Sequence, residues 1–179
     1  MANPKHRRSI TRTIRINEDV DRALHKFSEE EGTSVSLTVN RALRRYVEWD
    51  AFAEKFGFIN VPSSIHAKMF SYLTDEQARD LGEWAGQNFA RDFIVFWFKK
   101  VNVETTLKAL ELLGSEYARL YQFDHASNGK NHTIILKHGR GPKGSSFNEE
   151  FVKGLFKGLL SKDVKTERTE DQVVANVTL

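Results

Sequence analysis

Apolar and polar residues alternate over a short segment near the start of the chain. Residues 9–17 read Ser-Ile-Thr-Arg-Thr-Ile-Arg-Ile-Asn, with isoleucines on one face and Thr11, Thr13 and Arg15 on the other. Arg12 is the exception on the apolar face. A period of two with β-branched residues is typical of a strand. We therefore predict a strand that turns one face to a core and the other to a polar partner.

Two amphipathic helices are predicted after this strand. Asn17 is a suitable N-cap for the first helix, and Gly32 is a suitable residue to end it. Ser34 then caps a second helix, which can continue as far as Gly57. Apolar residues at i, i+3, i+4 and i+7 give each helix one apolar stripe that requires burial. The stripes are Val20, Ala23, Leu24 and Phe27 in the first helix, and Val39, Ala42, Leu43 and Tyr46 in the second.

The predicted strand needs a hydrogen-bonding partner. Unpaired backbone groups are costly to bury, and no second strand is predicted nearby. The simplest partner is the same strand of a second copy, paired antiparallel about a two-fold axis. This pairing places both isoleucine faces on a shared helical core. Residues 9–57 are therefore expected to form an intertwined homodimer.

The order of these features resembles the ribbon-helix-helix repressors of the Arc, MetJ and CopG type. The resemblance is carried by residues 13–20, Leu24, residues 32–36 and residues 41–46, and it rests on order, spacing and caps together. It covers the first quarter of the chain. It implies a sequence-specific transcriptional regulator, in the first place a repressor, whose β-ribbon enters the major groove of double-stranded DNA.

The resemblance also implies roles for individual residues. Thr11, Thr13 and Arg15 would read base edges, since arginine can bond guanine at two atoms and threonine can touch the thymine methyl. The start of the second helix would hold a phosphate through its free N–H groups. The residues implied there are Ser34, Val35 and Ser36.

Positive charge is concentrated at the start of the chain. The net charge of +3 does not by itself indicate a nucleic-acid partner, but the first acid is Glu18. An acid-free basic segment attracts a phosphate backbone, although a solvated tail has the same composition. We expect residues 1–8 to form a flexible basic arm. The phosphate contacts expected from the arm and the strand are Lys5, Arg7, Arg8 and Arg12.

Composition excludes several classes of protein. The chain has no cysteine, which removes disulfides, thiolate zinc sites and cysteine nucleophiles. No apolar run is long enough to span a bilayer, and the basic start lacks the apolar segment of a secretory signal, so a cytoplasmic, nucleoid-associated location is expected. No nucleophile with a base, paired carboxylates or metal set is recognisable. We expect neither an enzyme nor a cofactor.

The rest of the chain mixes helical and strand patterns. Residues 58–100 are predicted to be linking helices, and the aromatic run 93–98 is either a buried strand or the end of a helix. Residues 101–179 predict a small domain for sensing an effector or for oligomerisation, with helices on one face of an antiparallel sheet. The fold class expected for the whole chain is α+β.

A hairpin is predicted around Asn128-Gly129, a dipeptide that favours two-residue turns. If these are the turn residues, His125 lies opposite His132. Two facing imidazoles could bind a metal or respond to pH. No carboxylate accompanies them on that face, so ordinary histidines at a hairpin tip are the simpler interpretation.

Residues 139–144 match the pattern G-x-G-x-x-G, before a helix predicted to be capped by Ser146. The remaining chain is too short for a dinucleotide-binding domain, and Pro142 removes an amide that such a loop needs. The alternative is a loop that binds an anion or effector at a helix N-terminus. Its candidate residues are Arg140, Lys143, Ser145 and Ser146.

The leading hypothesis is thus a transcriptional regulator that binds specific DNA sequences as a homodimer. A non-specific architectural DNA-binding protein is an alternative, which salt dependence and competitor DNA would distinguish. An antitoxin-type regulator that binds a partner protein is a further alternative. Antitoxins of this family usually end in a disordered tail, whereas this chain ends in a predicted strand.

Overall fold

The computed structural model of the protein describes residues 10–179. The chain divides into two compact units, Met1–Glu48 and Trp49–Leu179. The predicted boundary after residue 57 therefore falls within the second unit. The predicted arm, residues 1–8, lies outside the described residues, and so do its phosphate-contact candidates Lys5, Arg7 and Arg8.

The first unit contains the two predicted helices, α1 (Glu18–Glu30) and α2 (Val35–Arg45). Gly32 adopts a φ of 62° between them, a conformation that glycine accepts without steric cost. Residues 10–17 carry no regular secondary structure, so the predicted strand is absent from the single chain. A strand is defined by hydrogen bonds to a neighbour, and the neighbour predicted here belongs to a second copy.

The second unit is built from helices around one long central helix. A π-helical turn at Tyr46–Asp50 leads into it, and two more lie at Ala85–Phe89 and Leu112–Glu116. Its α-helices are α3 (Ala51–Phe56), α4 (Ser63–Ser71), α5 (Asp75–Trp84), α6 (Ala90–Phe98), α7 (Val103–Glu111) and α8 (Gly141–Leu160). Residues 58–100, predicted as linking helices, contain α4, α5 and α6.

A four-stranded antiparallel sheet completes the second unit, and its order is β1-β2-β4-β3. The strands are β1 (Gln122–Asn128), β2 (Asn131–Lys137), β3 (Lys165–Arg168) and β4 (Gln172–Thr178). Helix α8 contacts both the sheet and α5. Its buried Leu155 and Phe156 join Ile134 and Leu136 of β2 in the core. The fold class is therefore α+β, as predicted.

The aromatic run 93–98 is helical and belongs to α6. Phe93 and Ile94 are fully buried, and the Phe93 and Trp97 ring centroids lie 4.5 Å apart. Trp49, Phe56 and Phe58 pack against the same rings. These side chains form core, because they bury apolar surface against one another.

Helix α5 and the π-helical turn that follows it approach α8 so closely that their backbones are in contact. A Cβ added at Gly82 would lie 2.3 Å from the carbonyl oxygen of Phe147, and one at Gly86 would lie 2.3 Å from that of Phe151. On the opposite helix, a Cβ at Gly154 would lie 2.9 Å from the carbonyl oxygen of Glu83. Glycine is therefore required sterically along this crossing.

The hairpin differs from the predicted register. Asn128 pairs with Asn131, so the turn residues are Gly129-Lys130 and the prediction of Asn128-Gly129 is wrong. Gly129 has a φ of 62°, while Lys130 is not left-handed. A positive φ at the first turn position alone is typical of a type II′ turn, which favours glycine there. The shift moves each partner by two residues and leaves the same side chains on each face.

The start of α8 also differs from the prediction. The helix begins at Gly141, not after Ser146, and Pro142 occupies its first turn. The carboxylate of Asp171, distant in sequence, accepts a hydrogen bond from Gly141 N at 2.7 Å. Proline is favoured in a first turn, and the acceptor is supplied by the turn between β3 and β4. Ser146 is consequently buried inside the helix.

No helix in residues 10–179 combines the length and the apolar character that crossing a membrane requires.

Candidate functional site

The residues predicted to read bases, and Arg12, predicted to contact phosphate, are all accessible. Thr11, Arg12, Thr13 and Arg15 are exposed, and within residues 10–179 none of them makes a side-chain hydrogen bond or ion pair. No backbone hydrogen bond is made by residues 10–16 within the same range. This segment offers both its side chains and its peptide groups to another molecule.

Hydrogen bonds of serine and threonine hydroxyl groups hold the start of α2 in place. Ser34 caps the helix, and its Oγ accepts a hydrogen bond from Leu37 N at 3.2 Å. Ser28 and Thr33 both hydrogen-bond Thr38 Oγ1, at 2.8 and 3.3 Å, which ties the loop to α1 and α2. The sequence prediction missed this hydroxyl cluster, since only the fold brings Ser28 next to Thr38.

The charge at the start of α2 suits an anion. Its first turn contains no acidic residue, whereas the first turn of α1 contains Glu18, Asp19 and Asp21. The backbone N–H groups of Val35 and Ser36 have no backbone acceptor within the described residues. Free N–H groups and the helix dipole together bind phosphate. Within the described residues, the N–H groups at the start of α2 are thus left without a backbone acceptor, next to a first turn that has no acidic residue.

Both predicted apolar stripes lie open in the single chain. Phe27 of α1 is 58% exposed and Leu43 of α2 is 54% exposed, and Ile10, Ile14 and Ile16 are exposed as well. Ser28 is the one buried residue of α1, and α2 has none. A helix pair without a core is poorly stable alone, since most helix stability comes from packing of the apolar face.

Of the four residues predicted for the second site, only Arg140 faces a cleft. Lys143 Nζ donates to the carbonyl oxygen of Ser71 at 3.0 Å. Ser145 is fully buried and donates to the carbonyl oxygen of Glu170 at 2.9 Å. Ser146 hydrogen-bonds Asp75 and Arg168. These three side chains are thus used within the fold, because α8 begins earlier than predicted.

Ser146 belongs to an ionic cluster that the sequence did not reveal. Arg79 of α5 lies 3.1 Å from Glu150, and Arg168 of β3 lies 3.2 Å from Glu149. Burial opposes ionisation of Glu149, but hydrogen bonds from Thr166 and Lys153 outweigh it and lower its pKa. Positive and negative groups are matched in this cluster. The cluster therefore joins α5, α8 and β3 through ion pairs, and its charges are paired with one another rather than available to a ligand.

The two histidines of the hairpin meet diagonally across the strands. His125 Nε2 lies 2.8 Å from His132 Nδ1, and the rings stack with centroids 5.1 Å apart. Burial and the neighbouring His132 lower the pKa of His125, which favours the neutral form of that ring. Within residues 10–179 no group of three or more His, Cys, Asp or Glu could hold a metal ion.

His138 is held neutral behind the start of α8. Its side chain is 1% exposed, its Nδ1 accepts from Arg140 N at 3.3 Å, and its Nε2 lies 3.1 Å from Ser145 Oγ. Burial and the charge of Arg140 lower its pKa to about 4, although Asp171 acts in the opposite direction. Protonation of His138 Nδ1 would break the hydrogen bond that Arg140 N donates to it.

Stability should consequently fall as the pH drops from 6.5 towards 4. In this window the unfolded chain takes up a proton at His138 and the folded chain does not, so acid favours unfolding. The difference between the usual pKa of 6.5 and the pKa of about 4 in the folded protein limits the loss of free energy of unfolding to roughly 3 kcal/mol. Urea unfolding of wild type and His138→Gln at several pH values measures this. An equal loss of stability in both proteins would contradict the assignment.

Comparison with known proteins gives no family: no protein-family model and no curated protein matches the chain.

Proposed function

We propose that this protein is a transcriptional regulator of the ribbon-helix-helix type, which binds specific double-stranded DNA as a homodimer through its first unit. One observation carries the proposal. The apolar stripes of α1 and α2 and the isoleucines before them are exposed together, next to residues 10–16, whose peptide groups make no backbone hydrogen bond within the described part of the chain.

A second copy of this chain is the partner that fits both features. Antiparallel pairing of residues 10–16 with themselves would satisfy the peptide groups and would stack four helices over the two isoleucine faces. A different protein would have to supply a strand and an apolar helical face at the same place. A second copy of this chain already carries both the unpaired segment and the apolar helical face, so self-association requires no other partner.

The same pairing would leave the polar side chains outward. Side chains alternate along a strand, so with the isoleucines inward Thr11, Thr13 and Arg15 point away from the core. A two-stranded ribbon fits the major groove. The starts of both α2 helices are then available to fix the dimer on phosphates, which position a protein without reading sequence.

Replacing Arg15 with alanine tests base reading. We expect binding to a duplex site selected from random sequences to weaken by roughly 1 to 3 kcal/mol, about 5-fold to 150-fold, because one guanine contact is lost. The melting temperature should not change, since Arg15 has no partner among residues 10–179. Fluorescence anisotropy with selected and scrambled duplexes measures the difference.

Arg22→Ala is the matched control, because Arg22 is an exposed arginine of α1 that pairs with Glu18 at 2.9 Å. It should leave the preference for the selected site intact. If Arg15→Ala weakens binding to selected and scrambled duplexes equally, base reading is refuted. The architectural, non-specific alternative would then be the better description.

A further inference from the structure

A cleft of about 950 Å³ opens in the second unit, between the start of α4, the end of β2 and the start of α8. Its lining includes Ser63, His66, Tyr121, His138 and Arg140. These residues come from segments that are far apart in sequence. The volume is within the range of small-molecule sites, about 300 to 1,000 Å³.

Arg140 is a half-buried cation whose Nε atom is fully buried. Within residues 10–179 no carboxylate pairs with it, and its Nη2 donates instead to the neutral Asn148 Oδ1 at 3.3 Å. Its guanidinium lies 5.1 Å from the ring centroid of Phe70 and 5.9 Å from that of Phe147. Burial lowers its pKa to about 10. A buried charge ordinarily needs a paired opposite charge.

Three buried donors around Arg140 have no hydrogen-bond partner within the described residues. They are Arg140 Nε, Asn148 Nδ2 and the hydroxyl of Tyr121. Tyr121 is 5% exposed and lines the cleft, and Asn148 lies behind the guanidinium that it orients. Buried polar groups are nearly always paired. A cation beside unpaired donors calls for a ligand that only accepts hydrogen bonds and is negatively charged.

Most of the charged side chains that line the cleft are positive, as Arg140 is. Ser63 and Ser64 form the first turn of α4, which no side chain caps, so its free N–H groups and dipole favour an anion. Arg119 makes no ion pair within residues 10–179. Asp171 is the one carboxylate of the lining, and it is bonded to Gly141 N. Burial, together with the charge of Arg140, lowers the pKa of His66 and so favours its neutral form.

We propose that the cleft binds a small organic oxyanion, whose carboxylate or phosphate oxygens accept hydrogen bonds from Arg140 and the Tyr121 hydroxyl. The aromatic ring of Phe70 behind the guanidinium, at 5.1 Å, fixes its plane for contact with two oxygens. This site is separate from the residues proposed to contact DNA. Its existence does not depend on DNA binding.

The test uses the full-length protein without DNA and two probes, succinate and inorganic phosphate, each compared with chloride at equal ionic strength. We expect at least one probe to raise the melting temperature saturably and to shift the Nε–H resonance of Arg140 in ¹⁵N spectra. A response to succinate alone identifies a carboxylate ligand, and a response to phosphate alone identifies a phosphorylated one. No saturable response up to about 10 mM, ten times a Kd of 1 mM, overturns the proposal.

Tyr121→Phe locates the binding without disturbing the fold, because the hydroxyl bonds nothing within the described residues. Its stability without ligand should equal or exceed that of wild type, while probe binding weakens about tenfold, as expected for a lost hydrogen bond to a charged group. Arg140→Met should stay folded and lose the response. Tyr72→Phe, at an exposed tyrosine, should bind as wild type does.

Phosphate could also bind at the start of α2, and the variants separate the two sites. If Tyr121→Phe and Arg140→Met respond to the probes as wild type does, the anion binds elsewhere and the proposal is wrong. If they lose the response but still bind selected DNA, the cleft is confirmed as an independent site. Failure of Arg15→Ala to affect DNA binding would leave this result untouched.

Discussion

Gly86→Ala is expected to lower the free energy of unfolding of the second unit by about 3 kcal/mol, the upper end for a carbon added to a packed interior. The new Cβ would lie 2.3 Å from the carbonyl oxygen of Phe151 and 2.7 Å from Leu155 N. Both are backbone atoms of α8, which cannot rotate away as the end of a side chain can. The helices would have to separate, and the interior packed around α8 would lose contacts. Urea unfolding followed by circular dichroism measures the loss.

Gly158→Ala is the matched control on α8. A Cβ at Gly158 would lie 3.6 Å from the nearest atom, Cα of Gln87, which is ordinary van der Waals contact. Alanine is the better helix former by about 1 kcal/mol, so this variant should be as stable as wild type or more stable. If the two variants are equally stable, the close approach of α5 and α8 does not exist in solution.

Ile14→Asp is expected to convert the proposed dimer to a monomer and to weaken binding to the selected duplex at least about a hundredfold. In the proposed dimer this carboxylate would be buried without a partner in both subunits, at a cost of several kcal/mol, and each 1.4 kcal/mol is a factor of ten. In the single chain Ile14 is 60% exposed, so the variant should not unfold either unit. Sedimentation velocity and anisotropy measure the two effects.

The control is Ile59→Asp, because Ile59 is an exposed isoleucine of the second unit, outside its helices and strands. It should remain a dimer and bind DNA normally. A wild-type protein that sediments as a monomer at micromolar concentration, or an Ile14→Asp variant with the wild-type oligomeric state, would refute dimerisation through this face.

Local signals in the sequence predicted several elements correctly. The spacing of apolar residues and the Ser34 cap predicted α2. The hairpin was predicted, but its turn was placed one residue early. Glycine suits either central position of a two-residue turn, so the dipeptide alone could not fix the register.

The candidate cleft was only partly foreseeable. The motif at residues 139–144 predicted Arg140 as a ligand-binding candidate, and in the structure that residue lines the cleft. Tyr121 and His66 could not be predicted, since nothing near them in sequence indicates that they meet Arg140. Ser146 was assigned to the site, but its partners Asp75 and Arg168 come from elsewhere in the fold.

The sequence by itself determined α1, α2 and the hairpin, because these depend on periodicity and on caps within a few residues. Only the tertiary structure decided where α8 begins, which charges pair between α5, α8 and β3, and that Arg140 has no ion-pair partner within residues 10–179. Those outcomes depend on contacts between distant segments, such as Asp171 with Gly141 and Arg140 with Asn148, whose energies no local pattern encodes.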